Sequence, residues 1–468
     1  MVSEFIIAGT GLAVYRACEK YYKNNKWKTK DLKEDIKTFE DVCKNKNNQF
    51  LLIDGASTKY GSKFIASLKN KSYKELEDLV EALEIEYKTD IEIARNDNKC
   101  TATIDVFKNK LNDSVKYEPI KLEPYELYIS LSRKFELMVA NMNDHTHMLL
   151  SGANGSGKSK ELQIILTNLI YPNKNNVEIY ISNKTNSPDF REFLNCHQVR
   201  GYVDTMSDTI LMLEHIMLMF EKRLRIINSR SCDNILDYNK KNKNKQMSYV
   251  YVVIDEFAQY FPDDKDEDEY NEKTKGKIML KRMAEILRKT GIFLLISTQR
   301  PDTNSLSPSM KCNLRTKIAF AQENQASSLV VADDKSLVGI PNREFLYMFG
   351  SERIWCRSLF INTEIIRNSV KSSIVPNRQS KDDFNVFLRI ADQKKQEEDV
   401  KDSKSKSKAK NKAIPSKVSK KIIELEVATE EIKESKSRVK NVEVIEVKSS
   451  DYRIEDGKIL LNMRRVEG

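Results

Sequence analysis

The stretch that decides the fold reads Gly152-Ala153-Asn154-Gly155-Ser156-Gly157-Lys158-Ser159. It matches G-x-x-x-x-G-K-[ST], the phosphate-binding loop pattern, at every specified position. A short apolar run at residues 147–151 precedes it and predicts a buried strand. Apolar residues then recur at helical spacing after the loop, at Leu162, Ile165, Leu166 and Leu169. The sequence therefore predicts a strand, a glycine loop and a helix in succession; the alternative is a chance glycine turn.

All eight loop residues, Gly152 to Ser159, are candidate contacts to a nucleoside triphosphate. The glycines allow backbone N–H groups to turn inward around a phosphate, and the helix N-terminus adds positive potential. In such a loop, Lys158 is expected to reach the β- and γ-phosphates. The Ser159 hydroxyl is expected to be a ligand of Mg²⁺.

Two adjacent carboxylates supply a second piece of the predicted site. Residues 250–254 form an apolar run, Val-Tyr-Val-Val-Ile, and Asp255 and Glu256 follow directly. At the end of a buried strand, Asp255 would hold Mg²⁺ through water beside Ser159. Glu256 would polarise the attacking water as the general base.

A third piece lies at residues 292–301, where a buried strand ends in Ser297-Thr298-Gln299-Arg300-Pro301. Gln299 at that strand end could hydrogen-bond the γ-phosphate or the attacking water. Arg300 and Arg288 lie on either side of the strand, and each could serve a neighbouring subunit as an arginine finger. A structural salt bridge is the alternative role for either arginine.

Strand and helix signals divide the chain into four segments. Residues 120–376 alternate strands and helices, which predicts an α/β P-loop NTPase core with a RecA-like parallel sheet and flanking helices. The expected strands are 177–182, 249–254, 293–297 and 317–320, and the expected helices are 209–228 and 275–289. Residues 31–119 predict a small α+β domain. Residues 1–30 are an apolar and then basic segment, and residues 377–468 are a charged tail that we expect to be largely disordered.

The pattern in the small domain is mixed. It predicts a helix over 32–42, a strand over 50–53 that Asp54 and Gly55 end, one helix over 73–87, and paired strands at 91–93 and 101–106. This domain offers few chemical clues. Thr58-Lys59-Tyr60-Gly61-Ser62-Lys63 mixes basic and aromatic residues that could contact nucleic acid, but an ordinary turn is the better interpretation.

Composition constrains partners and compartment. The net charge of +10 favours a polyanion such as nucleic acid or an anionic membrane surface, and the alternative is a lysine-rich solubilising surface. The seven cysteines include no C-x-x-C pair, which indicates reduced thiols in a cytosol. The apolar run at residues 5–15 is shorter than the ~20 residues that span a bilayer. We therefore expect a cytoplasmic protein, with peripheral contact at the inner face of the cell membrane as an alternative.

The three pieces together resemble the FtsK/SpoIIIE family of DNA-pumping ATPases, within the HerA–FtsK group. The most specific part is Arg288-Lys289-Thr290-Gly291-Ile292 leading into Ser297-Thr298-Gln299-Arg300-Pro301, and residues 313–320 and 333–339 resemble later family segments. Residues 58–61 and 127–129 are similar to the TcpA type of coupling protein in Gram-positive conjugative plasmids and integrative elements. Phe293 and Lys317 depart from the family pattern, which usually has His and Arg there.

The resemblance implies ATP and Mg²⁺ as cofactors, DNA as a partner, a homohexameric ring, and contacts with a relaxase and with membrane channel proteins. The leading hypothesis is an ATP-dependent DNA translocase or coupling protein in conjugative transfer. One alternative is a recruitment module in which ATP acts as a switch and the chain docks a relaxase–DNA complex at a membrane channel. The other is a plasmid or phage replication or packaging factor.

Overall fold

The computed structural model describes residues 30–96, 100–111, 115–172, 174–261, 269–302 and 306–375, together with 452–455 and 458–461. The predictions for the N-terminal apolar and basic segment, and for most of the charged tail, lie outside the described residues. Among the described helices, none is long and apolar enough to cross a membrane.

The small domain packs helices on a four-stranded antiparallel sheet of order β1-β2-β4-β3. Its elements are α1 (Lys30–Asn45), β1 (Leu51–Ser57), β2 (Gly61–Ser67), α2 (Tyr73–Glu77), α3 (Val80–Tyr87), β3 (Ile91–Arg95) and β4 (Thr101–Phe107). Phe39 of α1, Leu83 of α3 and Phe64 of β2 are almost fully buried in one apolar cluster. This burial fixes which face of the sheet the helices cover.

Two predictions for the small domain were wrong. Strand β1 does not end at Asp54 and Gly55, because a bulge between Leu52 and Asp54 absorbs the irregularity and Gly55 pairs with Phe64 on β2. The helix expected over residues 73–87 is two helices separated by a turn at Asp78 and Leu79, where the Leu79 N–H donates to the Leu76 carbonyl, three residues back, at 3.1 Å. Thr58 to Gly61 form the predicted turn between β1 and β2, with Thr58 N–H donating to the Gly61 carbonyl at 2.7 Å, whereas Ser62 and Lys63 of the same predicted segment lie in β2.

The larger part of the chain is built around one ten-stranded sheet. Its elements are β5 (Glu126–Ser132), β6 (Leu137–Asn141), α4 (Met142–His145), β7 (Met148–Ser151), α5 (Lys158–Ile170), β8 (Val177–Ser182), β9 (Val199–Val203), α6 (Met206–Ser229), α7 (Ile235–Lys241), β10 (Tyr249–Ile254), α8 (Tyr270–Ile286), β11 (Ile292–Thr298), α9 (Pro308–Asn313), β12 (Thr316–Phe320), α10 (Gln325–Ala332), β13 (Glu344–Phe349), β14 (Glu352–Arg357) and α11 (Thr363–Val370). Short 3₁₀ helices occupy Pro188–Phe193, Phe257–Tyr260, Leu287–Thr290 and Lys371–Ser373.

The strand order is β6-β5-β14-β13-β12-β7-β11-β10-β8-β9. The six strands from β12 to β9 are parallel to one another, and β13, β14, β5 and β6 continue the sheet by antiparallel pairing. Apolar clusters cover both faces, and every residue of β10 is buried. The predicted α/β class with a parallel P-loop core is confirmed, and the parallel strands end at one common edge.

Most predicted elements of the core lie close to the observed ones. Strands β8 and β10 have the predicted bounds, and β11 and β12 extend by one or two residues. Helices α6 and α8 begin three and five residues earlier than predicted, and Thr205 caps α6 by accepting the Asp208 N–H. Within the tail, β15 (Tyr452–Glu455) and β16 (Lys458–Leu461) form an antiparallel pair of their own.

Candidate active site

The phosphate loop joins β7 to α5, as the motif predicts. Gly155 and Gly157 have φ values of +77° and +113°, which non-glycine residues rarely adopt. Gly152 is fixed differently: a Cβ there would lie 2.6 Å from the Cβ of Phe320 and 2.5 Å from the Ser156 hydroxyl. A side chain at position 152 would therefore push the loop off β12, so packing requires glycine there.

Lys158 is the first residue of α5 and is buried. Its Nζ donates a hydrogen bond of 2.7 Å to the Ser297 hydroxyl on β11 and lies 3.9 Å from Oε2 of Glu256. Burial lowers the pKa of Lys158, and the nearby Glu256 and Asp255 carboxylates oppose that shift. The ammonium group is thus placed between the loop and the acidic strand ends, where it can meet a phosphate.

Glu256 follows β10 and is held chiefly by the neighbouring strand β11. Its carboxylate accepts hydrogen bonds from the Thr298 hydroxyl at 2.8 Å and from the Gln299 backbone N–H at 2.9 Å. Burial raises the pKa of Glu256, and Lys158 and these hydrogen bonds oppose the rise. A carboxylate with a raised pKa and a fixed orientation is suited to accept a proton from water.

Asp255 is also buried, and its Oδ2 accepts a hydrogen bond of 2.5 Å from the Thr185 hydroxyl. Burial raises the pKa of Asp255, while the hydrogen bond from Thr185 lowers it. Thr185 follows β8, the strand next to β10, and its hydroxyl also lies 3.1 Å from Oδ1 of Asn183. Sequence reasoning assigned no role to Thr185; polar residues after a neighbouring parallel strand were the available signal.

The remaining predicted site residues differ in how close they lie to Lys158, Asp255 and Glu256. Ser159 is half-buried in the first turn of α5, and Gln299 is half-buried at the end of β11. Arg300 is exposed at the same edge of the sheet. Arg288 precedes β11 and donates to the Asn143 carbonyl at 3.4 Å. Seven strand residues separate the two arginines, so Arg288 lies about 20 Å away at the opposite edge.

Three further residues contact the phosphate loop, Lys158 or Glu256, and the sequence patterns did not identify them as functional positions. Ser297 accepts from Lys158, and Thr298 donates to Glu256. Arg343, just before β13, donates its backbone N–H to the Ser156 carbonyl at 2.8 Å. Ser297 and Thr298 lay inside the quoted strand-end motif, whereas nothing near Arg343 in the sequence pointed to the loop.

The residues present fit a magnesium nucleotide. A Cβ at Gly155 would meet nothing within 4 Å, so the outer part of the loop opens onto free space where a phosphate can enter. The α5 N-terminus and Lys158 supply donors and positive charge for phosphate oxygens. The Ser159 hydroxyl and the Asp255 carboxylate are hard oxygen ligands of the kind that Mg²⁺ takes.

Residues 110–303 match the model of the FtsK/SpoIIIE family. The chain is 26% identical over 211 residues to the DNA translocase FtsK of Chlorobaculum tepidum, covering 42% of this chain and 25% of that protein. It is 22% identical over 303 residues to the DNA translocase SpoIIIE of Bacillus subtilis, covering 62% of this chain and 36% of that protein. The chain therefore spans between a quarter and just over a third of the length of these relatives.

Among solved structures, the fold is similar to that of the pCW3 conjugation coupling protein TcpA in its monomer form with ATPγS. The TM-score is 0.53 at 18% sequence identity, and the likeness covers 72% of this chain and 99% of that one. The family match begins in the segment that precedes β5 and ends just after the strand-end motif of β11. Residues 110–303, which carry the phosphate loop, the paired carboxylates and Gln299, thus match the FtsK/SpoIIIE family model, and they lie on a P-loop ATPase fold.

Proposed function

We propose that this protein is an ATP-driven DNA translocase that acts as a coupling protein in conjugative transfer. The observation that carries the proposal is the meeting of Lys158, Asp255, Glu256 and Gln299 at one edge of the parallel sheet, within the residues that match the FtsK/SpoIIIE family model. In support of the conjugative role, the fold is similar to 99% of the chain in the solved structure of the TcpA coupling protein.

In this proposal the chain's own residues divide the work at the nucleotide. The backbone of Gly152 to Ser159 and the Lys158 ammonium group bind and orient the phosphates. Ser159 and Asp255 hold Mg²⁺, which neutralises phosphate charge when bound. Glu256 accepts a proton from water at one of its carboxylate oxygens, while its hydrogen bonds to β11 keep that carboxylate in place.

The wider assembly also belongs to the proposal. The chain works as a homohexamer, and Arg300 of one subunit reaches the nucleotide of its neighbour, which is consistent with its exposure beside the site. DNA is gripped through its phosphates, so binding is largely independent of sequence and weakens as salt rises. A relaxase bound to DNA and membrane channel proteins are the further partners, at the inner face of the cell membrane.

The decisive experiment measures ATP hydrolysis by the full chain with and without DNA at low and at moderate salt. We expect DNA to stimulate turnover, salt to reduce the stimulation, and Lys158→Ala to abolish turnover in both conditions. Lys160→Ala is the control, because Lys160 is an exposed lysine in the same helix turn. Substantial turnover that does not respond to DNA at low salt would refute the translocase.

A further inference from the structure

A short segment that leads into β13, residues 341–344, lies against the phosphate loop through Arg343, and we call it the strap; its last residue, Glu344, is the first residue of β13. The Arg343 backbone N–H donates to the Ser156 carbonyl at 2.8 Å, and a Cβ at Gly157 would lie 3.2 Å from the Arg343 Cα. The strap therefore contacts the loop at Ser156 and Gly157. Any shift of the strap must move Ser156 or break this hydrogen bond.

The strap is itself anchored by two hydrogen bonds between Arg343 and Ser358. Arg343 has a φ of +70°, an uncommon conformation for a residue with a side chain. Its guanidinium donates to the Ser358 carbonyl at 2.8 Å, and the Ser358 N–H returns a bond of 2.8 Å to the Arg343 carbonyl. Backbone strain of this kind persists only where surrounding contacts hold it. Those contacts make the strap a stiff support for the loop.

Glu344, the last residue of the strap, joins it to the small domain. Its carboxylate is 8% exposed and pairs with Arg357 at 2.8 Å and with Arg133 at 2.9 Å. Arg133 also reaches Asp90, which precedes β3 of the small domain, at 3.2 Å. One arginine thus touches both the support of the phosphate loop and the neighbouring domain.

The junction between the small domain and the ten-stranded sheet, which we call the seam, is polar and loosely packed. Lys134 pairs with Asp105 of β4 at 2.6 Å, and Arg133 lies over the Trp355 ring at 4.6 Å. A cavity of about 330 Å³ opens there, lined in part by Glu92, Arg133, Lys134 and Trp355. Charged contacts around an unfilled space are weaker and easier to rearrange than an apolar core.

We propose that Glu344 is a positioning residue for the phosphate loop, through which docking of the small domain at Arg133 sets the affinity for nucleotide. When Asp90 holds Arg133, the Arg133–Glu344–Arg357 cluster is complete and the strap supports Ser156. When the small domain releases Arg133, Glu344 loses part of its anchor and the loop loses stiffness. The inference rests on the nucleotide-binding part of the proposed function.

The test measures binding of Mg·ATPγS and of inorganic tripolyphosphate to the full chain by calorimetry. Asp90→Asn removes the seam contact without touching the loop, and Asp78→Asn is the control, since Asp78 is an exposed carboxylate of the same domain. We expect Asp90→Asn to weaken both ligands about three- to fivefold, the range that one partly exposed ion pair can supply, and Asp78→Asn to match the wild type. Glu344→Gln should weaken both ligands further.

If docking of the small domain strengthens nucleotide binding, then nucleotide binding must equally strengthen docking. Bound nucleotide should therefore slow amide hydrogen exchange around Asp90 and Arg133 in the wild type but not in Glu344→Gln. A purely structural role for Glu344 would not produce that response. Equal affinities for Asp90→Asn and Asp78→Asn would overturn the proposal even if Glu344→Gln fails to fold. Failure of the wild type to bind Mg·ATPγS would instead refute the proposed function.

Discussion

The Thr298 hydroxyl donates a hydrogen bond of 2.8 Å to Oε1 of Glu256, although the two residues are 42 positions apart. The next residue, Gln299, donates its backbone N–H to the same carboxylate at 2.9 Å. The proposed general base on β10 is therefore oriented by the end of β11. Movement at Gln299 or Arg300 would be transmitted directly to Glu256, which links the predicted nucleotide-sensing strand end to the water-activating group.

Replacing Glu256 by Gln should separate binding from hydrolysis. The amide has nearly the same shape and can still accept from the Gln299 N–H, but it cannot accept a proton from water. We expect turnover to fall by about 10²- to 10⁴-fold while nucleotide affinity changes little. Steady-state hydrolysis and calorimetric binding of Mg·ATP check this; turnover within tenfold of the wild type would remove Glu256 from the role of base.

Thr298 should affect the rate of ATP hydrolysis only because its hydroxyl orients the Glu256 carboxylate. Thr298→Val keeps the volume and removes the hydroxyl donor, whereas Thr298→Ser keeps the donor and serves as the control. We expect the valine variant to lose about tenfold in turnover, as suits one charge-assisted hydrogen bond of roughly 1.5 kcal/mol, with affinity for ATP retained. Equal rates for the valine and serine variants would show that the bond does not position the base.

The sequence predicted those parts of the site that local patterns encode. The phosphate loop needs glycines at fixed spacing. Strand β10 is a continuous apolar run, and β8 is apolar apart from Glu178 and its last residue, Ser182, so both strands were located correctly. Contacts between distant positions left no such pattern. The Lys158–Ser297 bond spans 139 positions, and the Thr185–Asp255 bond spans 70. Such pairs become visible only when parallel strands bring their ends to one edge.

The contact between the strap and the phosphate loop is another long-range contact that the sequence could not predict. Arg343 carries no nucleotide-binding pattern, and its contact with Ser156 depends on β13 lying two strands away from β7 in the sheet. The errors in the small domain have a local cause: Asp54 and Gly55 usually end strands, but pairing with β2 carried β1 past them. Tertiary pairing outweighed residue preference there.

Gly157→Ala should impair nucleotide binding beyond its effect on stability. Gly157 has a φ of +113° and its missing Cβ faces Arg343 at 3.2 Å, so alanine strains the backbone and presses on the strap. Gly350→Ala is the control, because φ is +60° there and a Cβ would meet nothing within 4 Å. Both variants should lose about 1 kcal/mol of unfolding free energy.

In that comparison, only Gly157→Ala should also lose at least tenfold in affinity for Mg·ATP. Denaturant unfolding and calorimetry on the same preparations provide the two measurements. Equal nucleotide affinity for the two alanine variants would contradict the geometry of the loop as described.

Arg300 should act on the nucleotide of a neighbouring subunit. Arg300→Ala alone should lower DNA-stimulated turnover by about 10³-fold, as for arginine fingers elsewhere, and Arg288→Ala at the opposite edge should leave it nearly unchanged. Mixing Arg300→Ala with Lys158→Ala subunits should recover part of the activity, because some interfaces then combine an intact loop with an intact arginine. No recovery on mixing would place Arg300 outside the neighbour's site.

Glu161 should make stability depend on pH in the direction opposite to an ordinary surface carboxylate. It is fully buried in the first turn of α5, where the hydroxyls of Ser130 and Ser358 donate to it. Burial raises its pKa from 4.5 to about 8, and the two serine hydrogen bonds oppose the rise. Between about pH 4.5 and pH 8, the folded chain thus keeps a proton that the unfolded chain has lost.

The unfolding free energy should accordingly fall as pH rises through that window, by at most about 1.4 kcal/mol per pH unit from this group, and level off above it. Glu161→Gln cannot ionise and should lack this contribution, so its stability relative to the wild type should increase between pH 6 and pH 8.5. Urea unfolding of both proteins across that range measures the difference. A difference that does not change with pH would mean that Glu161 is ionised throughout in the folded protein, held by its two serine donors.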